Sequence, residues 1–207
     1  MKVLMINGSP RENGNTATAL KEMEKIFLKN GIECETVCVG KWEVRGCLAC
    51  RYCHKNGKCA IDDEVNQLAA KLGECDGLVV GTPVYYAAAN GTLTSLLDRL
   101  FYSSSSSVDK TMKVAAAVAV ARRSGVTAAL DQLNKYFSIS GMPIAPSVYW
   151  NGLHGRIPGE VSGDEEGIHT VITLAENMSF LIKSIALGKE KYALPEKSEK
   201  PYTNFIR

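Results

Sequence analysis

MKVLMINGSPRENGNT, residues 1–16, is the stretch that decides the fold. Val3 to Ile6 is a short apolar run closed off by Gly8 and Pro10. From Thr16 to Lys29 the apolar residues Ala19, Leu20, Met23, Ile26 and Phe27 return at helical spacing, and Gly31 stands at the expected stop. A strand, a loop of small hydroxyl and amide residues and a helix, in that order, form the first unit of a parallel α/β sheet. The loop also has a chemistry. Backbone N–H groups and the positive end of the helix dipole converge beyond the strand, which suits an anion. Ser9, Asn15 and Thr16 add neutral hydrogen bonds there and Arg11 adds a charge. Neither G-x-x-x-x-G-K-[ST] nor G-x-G-x-x-G occurs, which argues against a nucleotide triphosphatase and leaves the dinucleotide fingerprint missing. A terminal monophosphate fits the loop that remains.

Outward from this unit the chain keeps alternating. Ile32 to Val39 reads as a second strand, and a cysteine-bearing loop covers about 40–61. Asp62 or Asp63 then caps a helix carrying Val65, Leu68, Ala69 and Leu72 on one face. Asp76 to Gly81 and Lys113 to Val120 are unbroken apolar strands of the kind buried on both faces of a parallel sheet. Helices are expected over Thr92 to Tyr102, Val126 to Ser138 and Asp164 to Leu187, and a fifth strand over Pro143 to Tyr149. The pattern predicts one α/β domain, a doubly wound five-stranded parallel sheet with helices on both faces. Ser103 to Ser107 reads as a flexible surface loop. The tail from Lys189 to Arg207 is polar, and can lie loose or wrap a partner subunit through Tyr192, Tyr202 and Phe205.

CLACRYCHKNGKC, residues 47–59, places Cys47, Cys50, Cys53 and Cys59 on one short loop. Such spacing lets thiolates turn inward onto a single soft centre, and Gly46 and Gly57 permit the tight turns this requires. Structural zinc usually draws on two separate C-x2-4-C knuckles, whereas overlapping C-x-x-C steps with a fourth cysteine suit an iron–sulfur cluster. Iron–sulfur, zinc and metal-free redox thiols all stand as readings of the spacing. His54 reads as a surface residue, and Cys34, Cys38 and Cys75 as buried free thiols. A net charge of +2 offers no field for nucleic acid, and no apolar run approaches the roughly 18 residues of a membrane span. MKVLMINGSP lacks the apolar region of a signal peptide, so a cytoplasmic location with reduced thiols is expected.

Three strand-end loops together carry a resemblance. NGSPRENGNT, residues 7–16, resembles the phosphate loop of flavodoxin-like NAD(P)H-dependent FMN reductases. GTPVYY, residues 81–86, is similar to that family's second flavin loop, and AVARRSG, residues 119–125, to its third. The cysteine run lies where it does in the iron–sulfur flavoprotein family. Across most of residues 1–175 the resemblance implies a flavodoxin-like fold with strand order 2-1-3-4-5. It implies an FMN-binding domain at 1–188, with the cysteine loop inserted at about 40–61 and a C-terminal tail at 189–207. It assigns the FMN phosphate to Ser9, Arg11, Asn15 and Thr16. It assigns the ring to Pro83, Val84, Tyr85, Tyr86, Ala121, Arg122, Arg123, Ser124 and Gly125. On Cys47, Cys50, Cys53 and Cys59 it implies a [4Fe–4S] cluster. The implied activity is an FMN-dependent oxidoreductase whose chemistry is borne by the flavin. Its donor would be NAD(P)H or a ferredoxin-type protein, and its acceptor a quinone, a flavin or another small molecule. The assembly would be a homodimer or homotetramer. An FMN/quinone reductase without a cluster is the alternative within this class, and a non-enzymatic metal-binding or redox-sensing module the alternative outside it. Asn151, His154, Arg156 and Asp164, in WNGLHGRIPGEVSGD, read as structural loop residues, with reaching a neighbouring subunit or covering the flavin as the alternative.

Overall fold

The computed structural model describes residues 1–196, 201 and 203. Five parallel strands form the sheet: β1 (Lys2–Asn7), β2 (Glu33–Cys38), β3 (Gly77–Tyr85), β5 (Val114–Ala121) and β6 (Gly152–His154). Their order is β2-β1-β3-β5-β6, with the two-residue β4 (Ala88–Ala89) folded antiparallel onto the end of β3. The number and order of the parallel strands are as expected, but the fifth lies at Gly152–His154 and not at 143–149, and β4 is an addition. Because successive side chains point to opposite faces, each central strand feeds two cores. Leu4, Ile6, Leu78, Val80, Ala115 and Ala117 meet the apolar faces of α3 (Glu64–Glu74), α4 (Gly91–Ser103) and α5 (Val126–Ile139). Val3, Met5, Val79, Val114, Ala116 and Val118 meet α1 (Asn15–Lys29) and α6 (Glu165–Tyr192). A short helix α2 (Tyr52–Asn56) lies within the cysteine loop.

Helix caps separate two classes of helix. Asp63, Asn90 and Asp164 accept the backbone N–H of Val65, Thr92 and Gly167 and so close the starts of α3, α4 and α6. Helices α1 and α5 begin at Gly14 and Gly125 with no side-chain cap. Both follow strands of the sheet, where first-turn N–H groups stay available to a ligand.

Four expectations change. Residues 143–149 do not form a strand. Only Ile144 bridges Ala115, through the Ala115 N–H to the Pro143 carbonyl and the Ala145 N–H to the Ala115 carbonyl. Pro143 and Pro146 lack the N–H groups that a ladder needs, so pairing resumes only at β6. Ser103 to Ser107 is not a loose loop. Ser103 ends α4, Ser104 Oγ donates to the Leu100 carbonyl at 2.5 Å, and Ser107 Oγ donates to the Gly57 carbonyl at 2.6 Å, tying the run to the cysteine loop. Cys38 is exposed on the edge strand, whereas Cys75 is buried and Cys34 half-buried. The final helix continues past Leu187 to Tyr192, while Tyr202 and Phe205 lie outside the described residues. By length and composition α6 would suffice to cross a membrane, but its Val171, Leu174, Ala175, Met178 and Ile182 stripe packs into the second core.

Lys110 gives the fold a pH signature. Its Nζ is buried and donates to the carbonyls of Ser104 at 2.9 Å and Val108 at 3.2 Å. Burial, opposed by Asp109 and reinforced by Lys113, pulls its pKa down to about 8 from an ordinary 10.5. Between those values the unfolded chain binds more protons than the folded one, so this residue makes stability rise with pH from about 8 to about 10.5. Lys110→Met should remove that rise, read as the difference in Tm between variant and wild type across the window.

Candidate flavin site and cysteine centre

The loop after β1 is held in place by backbone first and side chains second. Gly8 N–H donates to the Gly81 carbonyl at 2.8 Å, and the Asn90 amide donates to the Gly8 carbonyl at 2.9 Å. Ser9 N–H is taken by Asn7 Oδ1 at 3.0 Å, Arg11 N–H by Ser9 Oγ at 3.2 Å, and Gly14 N–H by the Arg11 carbonyl at 3.0 Å. The loop is thus pre-curled against the uncapped start of α1. Behind it, Gly40 presses bare backbone onto Ser9 and Pro10; a Cβ there would lie 2.1 Å from the Ser9 carbonyl carbon.

Above this edge opens a cleft of about 200 Å³. Ser9, Arg11, Asn15 and Thr16 line it from the first loop, Pro83, Val84 and Tyr85 from the second, and Val120 and Arg122 from the third. Three chain-distant loops converge as the sheet topology requires, beyond the carboxyl ends of the strands. Gly155 and Arg156, from the loop after β6, complete the wall. Arg11, Arg122 and Arg156 bring three guanidinium side chains to it, and no carboxylate is among the lining residues. An uncapped helix start, a pre-curled loop and concentrated positive charge fit a flavin monophosphate. Neither Gly155 nor Arg156 belongs to the expected flavin-contact set; the signal for them was the Gly-rich stretch that follows the final strand.

Several expected contacts sit elsewhere. Tyr86 is fully exposed, with φ at 58° in the left-handed region, and does not line the cleft. Ala121 is buried in β5. Arg123, Ser124 and Gly125 line an adjoining cavity of about 340 Å³ with Tyr149, Trp150, His154 and Asp164. Asn15 borders the cleft, yet its amide is spent on the far wall. It donates to the Ile157 carbonyl at 3.0 Å and accepts from the N–H groups of Gly159 at 3.0 Å and Val161 at 3.4 Å. Asn15 therefore fastens the loop after β6 to α1. His154 and Asp164 brace the same loop, with Asp164 accepting the His154 N–H at 2.7 Å and His154 Nε2 meeting the Arg123 carbonyl at 3.0 Å.

The cysteine loop is wound tightly. Ala49, Arg51 and Gly57 all have positive φ, at 53°, 58° and 65°. Cys47, Cys50, Cys53 and Cys59 line one small apolar cavity. All seven cysteines are free, and among the described residues no three His, Cys, Asp or Glu side chains stand at metal-binding distance from one another. Burial pushes the Cys53 thiol up, with the other three cysteines adding to the effect. Outside the loop, burial raises the Cys75 thiol and lifts Cys34 to about 12, so neither is a reactive thiolate.

One residue absent from any ligand motif anchors this loop. Arg99 on α4 is 1% exposed and forms a two-pronged pair with Asp63, at 2.6 and 2.8 Å. It also donates to the carbonyls of Arg45 and Ile61 at 3.3 Å, and to Cys59 Sγ from Nε at 3.4 Å and Nη2 at 3.3 Å. Burial opposes its charge, but Asp63 and Cys59 outweigh that and raise its pKa. Four sulfurs in an apolar cavity beside a buried cation fit a soft, anionic four-thiolate group.

Residues 1–155 match the NADPH-dependent FMN reductase family. The iron–sulfur flavoprotein of Methanocaldococcus jannaschii is 32% identical over 194 residues, covering 89% of this chain and 99% of that one. The iron–sulfur flavoprotein of Methanosarcina thermophila is 27% identical, covering 92% and 100%. In fold, RosB with a bound 8-demethyl-8-formylriboflavin-5'-phosphate intermediate superimposes with a TM-score of 0.68 at 18% identity, covering 100% of this chain and 94% of that one. An archaeal flavodoxin superimposes at 0.56 and 15% identity, covering 86% and 99%. With a flavodoxin-like sheet and a phosphate-suited cleft at its carboxyl edge, the chain belongs to the FMN reductase family and, within it, groups with the iron–sulfur flavoproteins as an FMN-dependent oxidoreductase.

Proposed function

We propose that FMN lies in the cleft shared by the three strand-end loops. The N-terminus of α1, Ser9, Arg11 and Thr16 would bind its phosphate, and Pro83, Val84, Tyr85 and Arg122 would border its ring. The observation that carries this reading is the convergence of those loops on one arginine-lined cleft beside an uncapped helix. Bound flavin supplies hydride and one-electron chemistry. The chain's own part is to hold it. Pro83 stiffens the second loop, Tyr85 offers a flat half-exposed surface, and Arg122 keeps positive charge beside the ring. Ala121, Arg123, Ser124, Gly125 and Tyr86 do not line that cleft.

In the same proposal Cys47, Cys50, Cys53 and Cys59 hold a [4Fe–4S] cluster that exchanges electrons with FMN in a reducing cytoplasm. NAD(P)H or a ferredoxin-type protein is the donor and a quinone, flavin or similar small molecule the acceptor. The assembly is a homodimer or homotetramer, with exposed Tyr149, Trp150 and Ile157 near the flavin edge suited to its contact. A second reading is an NAD(P)H-dependent FMN or quinone reductase without a cluster, supported by the match of residues 1–155 to the NADPH-dependent FMN reductase family.

Anaerobic purification followed by a visible spectrum, iron analysis and acid-labile sulfide analysis separates the two. About four iron and four sulfide per chain with one FMN support the cluster. FMN with neither leaves the second reading, and a colourless protein sinks both. Cys50→Ser should lose the iron and keep FMN, measured on the anaerobic preparation; loss of both would make the cysteine loop a structural part of the flavin site.

A further inference from the structure

Helix α4 lies outside the cysteine loop, and nothing in LLDRLFYSS, residues 96–104, reads as a ligand motif. Arg99, Tyr102 and Ser103 nevertheless line the cavity that the four cysteines share. Arg99 and Ser103 are four residues apart and so share one helix face. The guanidinium places two N–H groups on Cys59 Sγ, a contact its ion pair with Asp63 does not require. Ser103 is 3% exposed, and its Oγ has no hydrogen-bond partner. Its neighbour Ser104 returns its hydroxyl to the carbonyl four residues back, as buried helical serines do; Ser103 does not. A buried hydroxyl without an acceptor is costly, so its place in this wall calls for an acceptor inside the cavity.

We propose that the Arg99–Ser103 face of α4 is the outer wall of the cluster site, with Arg99 donating to the Cys59 thiolate and Ser103 to cluster sulfur, and that this wall raises the cluster's reduction potential. The inference rests on the cluster reading above. Reduction adds negative charge to the sulfurs, and N–H and O–H donors with a nearby cation stabilise that charge more than the oxidised state. Removing them makes the cluster harder to reduce.

The test uses anaerobically purified wild type, Ser103→Ala, Arg99→Lys and Arg99→Met. Each is analysed for iron and sulfide, then titrated with dithionite in the presence of redox dyes while the reduced cluster is followed by electron paramagnetic resonance. At a fixed poise the reduced-to-oxidised ratio should fall several-fold in Ser103→Ala. It should fall at least tenfold in Arg99→Met, which is 59 mV for a one-electron couple. Arg99→Lys, which keeps the charge but not the planar fork, should fall between them. If Arg99→Met fails to fold or load, the other two variants decide. Iron-loaded variants with wild-type potentials overturn this proposal and leave the cluster intact as a reading. A wild type without iron or sulfide overturns both.

Discussion

Replacing Gly40 by valine should weaken FMN binding about a hundredfold or more while leaving the far-ultraviolet circular dichroism close to that of wild type. A Cβ at this position would lie 2.1 Å from the Ser9 carbonyl carbon, 2.3 Å from Pro10 N and 2.4 Å from the Ser9 carbonyl oxygen. All three are backbone atoms, which cannot swing aside as a side-chain tip can. The loop between β1 and α1 must therefore move bodily, and its N–H groups move with it. Losing two hydrogen bonds to a charged phosphate, at about 1.5–3 kcal/mol each, amounts to about two decades of affinity or more. Gly46 provides the control, because nothing lies within 4 Å of a Cβ built there, so Gly46→Ala should titrate like wild type. Fluorescence titration of apoprotein with FMN reads both. Wild-type affinity in Gly40→Val would remove the phosphate from this loop.

Asp63→Ala should cost about 3–5 kcal/mol of stability, seen as a lower midpoint in urea at unchanged m-value. Among the described residues its carboxylate is the only acid paired with Arg99, whose side chain is fully buried. Deleting it strands a cation in the interior and also removes the cap that accepts the Val65 N–H of α3. Asp63→Asn keeps a capping oxygen and loses the charge, so it should recover about 1 kcal/mol of the deficit, the usual worth of a cap. Equal stability for Asp63→Ala and wild type would show that solvent reaches Arg99 and shields it.

The alternating fold was legible because buried parallel strands are apolar runs, as Val3–Ile6 and Val114–Ala121 are. Where the sequence misled, at 143–149, prolines sit inside a strand-like pattern, and Val148, Tyr149 and Trp150 end up mostly exposed. Ser9, Arg11, Thr16, Pro83, Val84, Tyr85 and Arg122 could be assigned to one site because each is tied to a strand end. Gly155 and Arg156 could not be placed with them, since Asn15 sets their position from across the sheet edge. Arg99 carried a readable signal. It stands four residues before Ser103 and three after Leu96, within the buried face of α4, where a charge needs a partner. The partner, Asp63, is 36 residues away in sequence, so only the fold reveals the pair.

Asn90 joins what look like separate parts. Its side chain donates to Gly8 in the loop after β1 and accepts Thr92 N–H at the head of α4, while its own N–H reaches Thr82 Oγ1 in β3. From that point α4 runs 13 residues, about 20 Å of stiff rod, to Ser103 at the cysteine cavity. The strand-end cleft and the cysteine cavity thus lie at opposite ends of one helix, whose head Asn90 fastens to the loop after β1. With its head pinned at Asn90, the rod sets how far the cysteine cavity stands from the strand-end cleft, so a substitution that shifts α4 along its axis alters that spacing.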